Sequence, residues 1–134
     1  EMGASFADGV LANLAYRHAY FAERGIATAV CSFAYPDLER LTQAERDFFD
    51  YCNAHEWGGR DVTFASYCRV MALLNKQIHA LCEQAGLLYV PVAEQVTGGA
   101  ELFDDVCHLK TPGIERKAAV ISKSVQGWLA ESGR

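Results

Sequence analysis

The sequence predicts an α/β fold: a parallel sheet with helices on both faces, three layers α/β/α, present as an incomplete C-terminal half. Three observations predict it. Two apolar runs, 26–33 and 87–92, have the length of strands buried on both faces. Longer segments with apolar residues at three- and four-residue steps lie before, between and after them. The resulting order is helix, strand, insertion, helix, strand, loop, helix. Strands joined through helical crossovers lie parallel.

Taken in order, residues 1–6 read as the end of a strand running into a loop. Asp8 to Arg24 is helical, with Val10, Leu14, Phe21 and intervening alanines on one side and Gly25 as a C′ stop. Ile26 to Phe33 is the first full strand, bounded by Gly25 and Pro36 and containing β-branched Ile26, Thr28 and Val30. Residues 36–62 form a charged insertion of one or two short helices that Gly58-Gly59 interrupts. Phe64 to Ala85 is the clearest helix. Tyr67, Val70, Met71, Leu74, Ile78, Leu81 and Cys82 make its stripe, and Gly86 ends it. Leu87 to Val92 is the second strand. A loop with Gly98-Gly99 follows, and a last helix runs from about Pro112 to Glu131. Thr111 is its N-cap and Pro112 its first helical position. Its buried stripe is Ile114, Ala118, Ile121, Val125 and Trp128. Two strands and a stub are fewer than an ordinary sheet carries. Residues 1–134 therefore read as one partial domain whose sheet is completed by sequence outside it or by another chain.

The 134 residues are 51% hydrophobic and 22% charged, the composition of a soluble domain with a real core. A net charge of −5 argues against nucleic acid as the main partner, because no basic block exists to neutralise phosphates. No apolar run reaches the ~20 residues of a membrane span, and no signal peptide is visible. Cys31, Cys52, Cys68, Cys82 and Cys107 contain no CxxC pair. They read as reduced thiols in a cytoplasmic setting, with a Cys52–Cys68 bridge as the alternative.

The chemistry concentrates in Phe103-Asp104-Asp105-Val106-Cys107-His108-Leu109-Lys110-Thr111-Pro112-Gly113. An acid three residues before a histidine, on a short loop ahead of a helix, can hold the imidazole in one tautomer. His108 is then the general base, suited to neutral pH by the ordinary imidazole range. Asp105 is its orienting acid, preferred over Asp104 on spacing. The competing reading makes His108 a surface residue and the two acids a solvated pair. Asp104, Asp105, Cys107 and His108 also read as a metal cluster, set aside because no second ligand group stands at structural-zinc spacing. Cys107 reads as packing, its carboxylate neighbours disfavouring a thiolate. His18, His55 and His79 read as surface or half-buried. Phe48, Phe49, Tyr51 and Trp57 either line an acyl or sugar pocket or form the buried side of a small helix.

Tyr67 to Leu129 resembles the C-terminal half of an SGNH (GDSL-type) hydrolase. The residues carrying the likeness are the helical Leu74-Asn75-Lys76-Gln77-Ile78-His79-Ala80, the strand Leu87-Leu88-Tyr89-Val90-Pro91-Val92, and the D-x-x-H of Asp105-Val106-Cys107-His108. Thr111-Pro112-Gly113 and the A-x-x-I spacing of Ala118 and Ile121 follow them. Glu1-Met2-Gly3-Ala4-Ser5 resembles the family's G-x-N-D block. Gly3 matches its glycine, and Ser5 and Phe6 stand where asparagine and aspartate are usual. The resemblance implies a serine hydrolase (esterase, lipase, thioesterase or carbohydrate deacetylase) acting on a small ester or acylated carbohydrate, with no metal or organic cofactor. His108 and Asp105 would be catalytic, and Gly3 and Ser5 would lie on the oxyanion side. The family's G-D-S nucleophile block is missing, so the nucleophile is expected from sequence outside this chain. Ser5 itself is the alternative nucleophile. A rival expectation is a relative without catalysis that binds or assembles as a homo-oligomer through its sheet edge. A flavodoxin-like module is a third, weakened by the lack of a phosphate-site pattern at a strand end.

Overall fold

The computed structural model describes residues 2–56 and 62–133, with side chains for 7–55 and 62–133. Trp57 and Gly58-Gly59 lie outside the described residues. The elements run α1 (Met2–Ala22), β1 (Ala29–Cys31), α2 (Gln43–Glu56), α3 (Phe64–Ala85), β2 (Leu88–Val90), α4 (Val92–Gln95) and α5 (Thr111–Ser132).

The predicted three-layer α/β/α sandwich is not what forms. Helix dominates the described residues, and the sheet has two parallel three-residue strands, Ala29 opposite Leu88 and Cys31 opposite Val90. A parallel strand persists only where its neighbour offers hydrogen-bonding groups. Pro91 has no N–H and follows β2 directly, and Val92 already opens α4. Ile26 and Phe33, at the ends of the predicted first strand, are 51% and 49% exposed. The strand stub at residues 1–6 is also corrected. Helix α1 starts at Met2, six residues ahead of the expected start at Asp8, in a stretch containing alanines and the good helix former methionine.

Helix α3 organises the core. Thr63 caps its start, accepting the Ser66 N–H at 3.2 Å, and Gly86 ends it in the left-handed region at φ 64°. Met71, Leu74, Ile78 and Cys82 bury with Ala7 of α1 and Val30 of β1. Phe64 and Cys68 bury with Phe49 of α2, Val90, Val92 and Val96, the loop residues Leu102, Phe103 and Val106, and Val120 of α5. Tyr35 and Tyr67 pack against both clusters. The predicted stripe of α3 differs in composition: Asn75 is buried within it, and Tyr67 and Val70 are only half-buried.

Asn75 shows why a polar group belongs there. Its Oδ1 accepts the Phe33 N–H at 2.8 Å and its Nδ2 donates to the Phe33 carbonyl at 2.9 Å. Both backbone groups of the residue leaving β1 are satisfied by one side chain, which removes the cost of burying them unpaired.

Helix α5 packs by a narrower face than its apolar spacing predicts. Gly113 and Val120 are its buried residues, whereas Ile114 is 55% exposed and Ala118 is exposed. Thr111 is the first helical residue, and Lys110 takes the N-cap position without a side-chain cap. No disulfide joins any of the five cysteines, so the alternative Cys52–Cys68 bridge does not form. Among the described residues no helix is long and apolar enough to cross a membrane.

Candidate functional site

The segment between α4 and α5 is a tight hairpin pinned from both sides. Phe103 and Leu109 form an antiparallel bridge. The Asp104 N–H donates to the His108 carbonyl at 2.9 Å, and the Lys110 N–H to the Leu102 carbonyl at 2.8 Å. Leu102, Phe103 and Val106 are buried, so the hairpin is plugged into the main core at its base and at its tip.

This frame fixes Asp105. Its Oδ1 accepts the Cys107 N–H at 2.8 Å and the His108 N–H at 2.7 Å, an Asx turn closed by the side chain itself. Its Oδ2 lies 2.5 Å from His108 Nδ1. The Asp105 side chain is 11% exposed and the His108 ring 74%. Asp104 is exposed, and Asp105 is the acid that faces the imidazole. Burial pushes the Asp105 carboxyl up. The two backbone N–H groups, the bond to His108 and the charge of that ring outweigh it and hold the group at about 2. Asp105 is therefore a carboxylate throughout the neutral range.

Such a carboxylate keeps the ring proton on Nδ1 and makes Nε2 the basic nitrogen. Cys107 Sγ lies 3.6 Å from the same Nδ1. A thiol activated by a histidine with an orienting acid needs the two partners on opposite ring nitrogens. Cys107 and Asp105 share one nitrogen, so this is not a cysteine–histidine–aspartate relay. Tyr67 of α3 stands close by. Burial pushes its hydroxyl well above the usual phenol value, and Cys107 and Asp105 push it further.

The first turn of α5 braces the hairpin through Gly113. A Cβ there would stand 2.6 Å from the Leu102 carbonyl oxygen and 2.8 Å from Leu109 Cδ2. That oxygen is held by the Lys110 N–H and has little freedom to retreat. Helix propensity favours alanine over glycine by about 1 kcal/mol, and overpacking against backbone costs about 1–3 kcal/mol or more. Gly113→Ala is expected to lose about 1–2 kcal/mol in urea unfolding. An unchanged or raised midpoint would show that the close approach is not held.

Of the other expected site residues, Gly3 and Ser5 lie in the first two turns of α1 rather than at a strand end. Their side chains, and where they stand relative to His108, fall outside the described residues. Phe49 is buried in the main core, whereas Phe48 and Tyr51 are exposed, with Tyr51 stacked on His55 at 4.0 Å. The insertion's aromatics thus divide between core and surface.

Sequence reasoning passed over a polar cluster at the carboxyl ends of β1 and β2. Ser32 Oγ donates to Glu94 Oε2 at 2.8 Å and accepts the Ala93 N–H at 2.8 Å, and the Tyr89 hydroxyl donates to Glu94 Oε1 at 2.5 Å. The His79 and Tyr89 rings are 4.4 Å apart. A cleft of about 300 Å³ opens there between Tyr35, Asn75, Lys76, His79 and Glu94. The available signal was positional, since polar residues just past parallel strands stand where α/β proteins place ligands. Ser32 and Glu94 are too far apart in sequence for any local pattern to connect them.

The chain matches no protein-family model, no curated protein and no solved structure.

Proposed function

We propose that Asp105 and His108 are the acid and base of an SGNH-like serine hydrolase that transfers acyl groups through a serine ester. The alcohol nucleophile comes from sequence outside residues 1–134. The observation that carries the reading is the 2.5 Å contact between Asp105 Oδ2 and His108 Nδ1, on a carboxylate whose other oxygen two backbone N–H groups hold in place.

His108 Nε2 takes the hydroxyl proton as the alcohol oxygen attacks the ester carbonyl. The imidazolium that forms is stabilised by Asp105, and its proton passes to the departing alcohol. Water then repeats the sequence on the acyl-enzyme. In this reading Gly3 and Ser5 are the oxyanion-side positions. The substrate is a small ester or acylated carbohydrate, and the 74% exposure of the ring supports a base that is open to solvent-borne substrate.

Fluorophosphonate labelling and p-nitrophenyl acetate turnover by the native gene product test this. His108→Ala is expected to lower kcat/KM by about 10³-fold or more. Turnover and labelling undiminished in that variant would overturn the reading. A fluorophosphonate adduct mapped to Ser5 itself would instead make Ser5 the nucleophile.

A second reading, an assembly protein without catalysis, is favoured by the sheet. Among the described residues each strand pairs on one side only, and Ile26 and Phe33 flank β1 half exposed. Sedimentation separates the two: a dimer in a protein that hydrolyses no ester supports assembly, and a monomer removes it.

A further inference from the structure

We propose that Asp105, Cys107 and His108 form a binding site for a borderline-soft divalent cation such as zinc. The proposal does not rest on the hydrolase reading, because it concerns binding by this chain alone.

Three different donors converge at the hairpin tip. A carboxylate oxygen of Asp105, the Cys107 Sγ and a ring nitrogen of His108 all lie within 4.8 Å of one another. In a tetrahedral zinc site the metal–nitrogen, metal–sulfur and metal–oxygen distances put nitrogen and sulfur about 3.6 Å apart, and nitrogen and oxygen about 3.4 Å apart. Sγ and Nδ1 already stand at 3.6 Å. Oδ2 and Nδ1 stand at 2.5 Å and must part by about 0.9 Å. The exposed His108 ring is the side that can give way.

Asp105 is also presented as a ligand should be. Its Oδ1 is occupied by the Cys107 and His108 N–H groups, which leaves Oδ2 aimed at the shared point. Such outer hydrogen bonds orient a ligating group before the metal arrives. The bridge between Phe103 and Leu109 and the buried Val106 hold the three donors together without the cation. The donor set selects the metal. Thiolate with imidazole suits zinc, whereas magnesium and calcium take oxygen ligands. Three protein ligands leave one position of a tetrahedral ion for water or a small anion.

The proton balance is simple. Binding releases the Sγ proton to solvent, and the ring proton moves from Nδ1 to Nε2 as Nδ1 turns to the metal. Thiolate and carboxylate then carry two negative charges against the cation's two positive ones.

The probe is cobalt(II), titrated into the reduced, chelator-treated chain. A thiolate-to-cobalt charge-transfer band saturating at one equivalent, and erased by zinc, is expected. Cys107→Ser should remove that band, and His108→Asn, which removes a ligand outright, should weaken binding by more than the roughly 10–100-fold that loss of an outer hydrogen-bond partner costs. As a measurement on the unmutated chain, zinc should slow iodoacetamide alkylation of Cys107, read by peptide mass mapping, and leave Cys31 and Cys52 unchanged. No band, a band that survives in Cys107→Ser, or equal alkylation with and without zinc would each overturn the proposal. Absent ester turnover in the same preparation bears on the hydrolase reading alone.

Discussion

Exchanging Asp105 for asparagine is expected to leave the 103–109 hairpin folded while moving the His108 proton to the other ring nitrogen. Asn Oδ1 can still accept the Cys107 and His108 N–H groups that Asp105 accepts at 2.8 and 2.7 Å. Its NH₂ then faces His108 Nδ1 and requires that nitrogen to accept. The basic nitrogen is turned inward. If the pair is catalytic, kcat should fall by about 10⁴-fold, as a reversed tautomer costs in serine proteases. The ¹⁵N shifts of His108 report the tautomer directly, and an unchanged Nδ1–H form would refute the expectation. Stability carries a second signature. The folded carboxyl sits at about 2 against an ordinary 3.8, so its contribution is full above about pH 4 and is lost as pH falls from there through 2. With solvent screening, that amounts to about 1–2 kcal/mol. The wild-type chain should lose this increment across the window in chelator-containing buffer, and Asp105→Asn, which keeps the lowered Glu45 carboxyl, should fall less steeply by that amount. Parallel curves would show that Asp105 is not held as described.

The second large effect is expected at Phe64. Its ring is buried at the start of α3 and stacks on the buried Phe49 of α2 at 5.3 Å, and its N–H donates to Asp50 Oδ1 at 3.0 Å. Phe64 is thus where α2 joins the main core. Phe64→Ala removes the stack and leaves a cavity, for an expected loss of about 3–5 kcal/mol, a large part of the 5–15 kcal/mol typical of a domain. Phe64→Leu, closer in volume, should lose about 1.5 kcal/mol or less. Urea unfolding gives both values, and amide exchange in α2 should accelerate more than in α5. A loss below about 1 kcal/mol for the alanine variant would mean the stack is not load-carrying.

How much of this could be read beforehand depends on how local each cause is. The bounds of α3, Phe64–Ala85, followed from Gly86 and a long apolar stripe, both short-range signals. The spacing of Asp105 and His108 similarly pointed to two side chains that a turn brings together. The sheet was not legible in this way. Apolar runs at 26–33 and 87–92 looked like strands, yet pairing is a joint property of two segments, and only Ala29–Cys31 and Leu88–Val90 meet. The start of α1 was misread because Gly3 and Ser5 were matched to a strand-end block, against the helical tendency of their neighbours. The cluster of Ser32, Tyr89 and Glu94 needed the parallel pair first, since nothing local ties a residue after β1 to one after β2.

Val106 sits between the acid and the thiol with its own side chain fully buried. The imidazole is thereby mounted on a peg driven into the molecule's interior, so its aim is set by an aliphatic group with no chemistry of its own. Trimming that peg would let the ring swing while every reactive group stayed in place, making Val106 a hidden tolerance on whatever reaction or ion this hairpin serves.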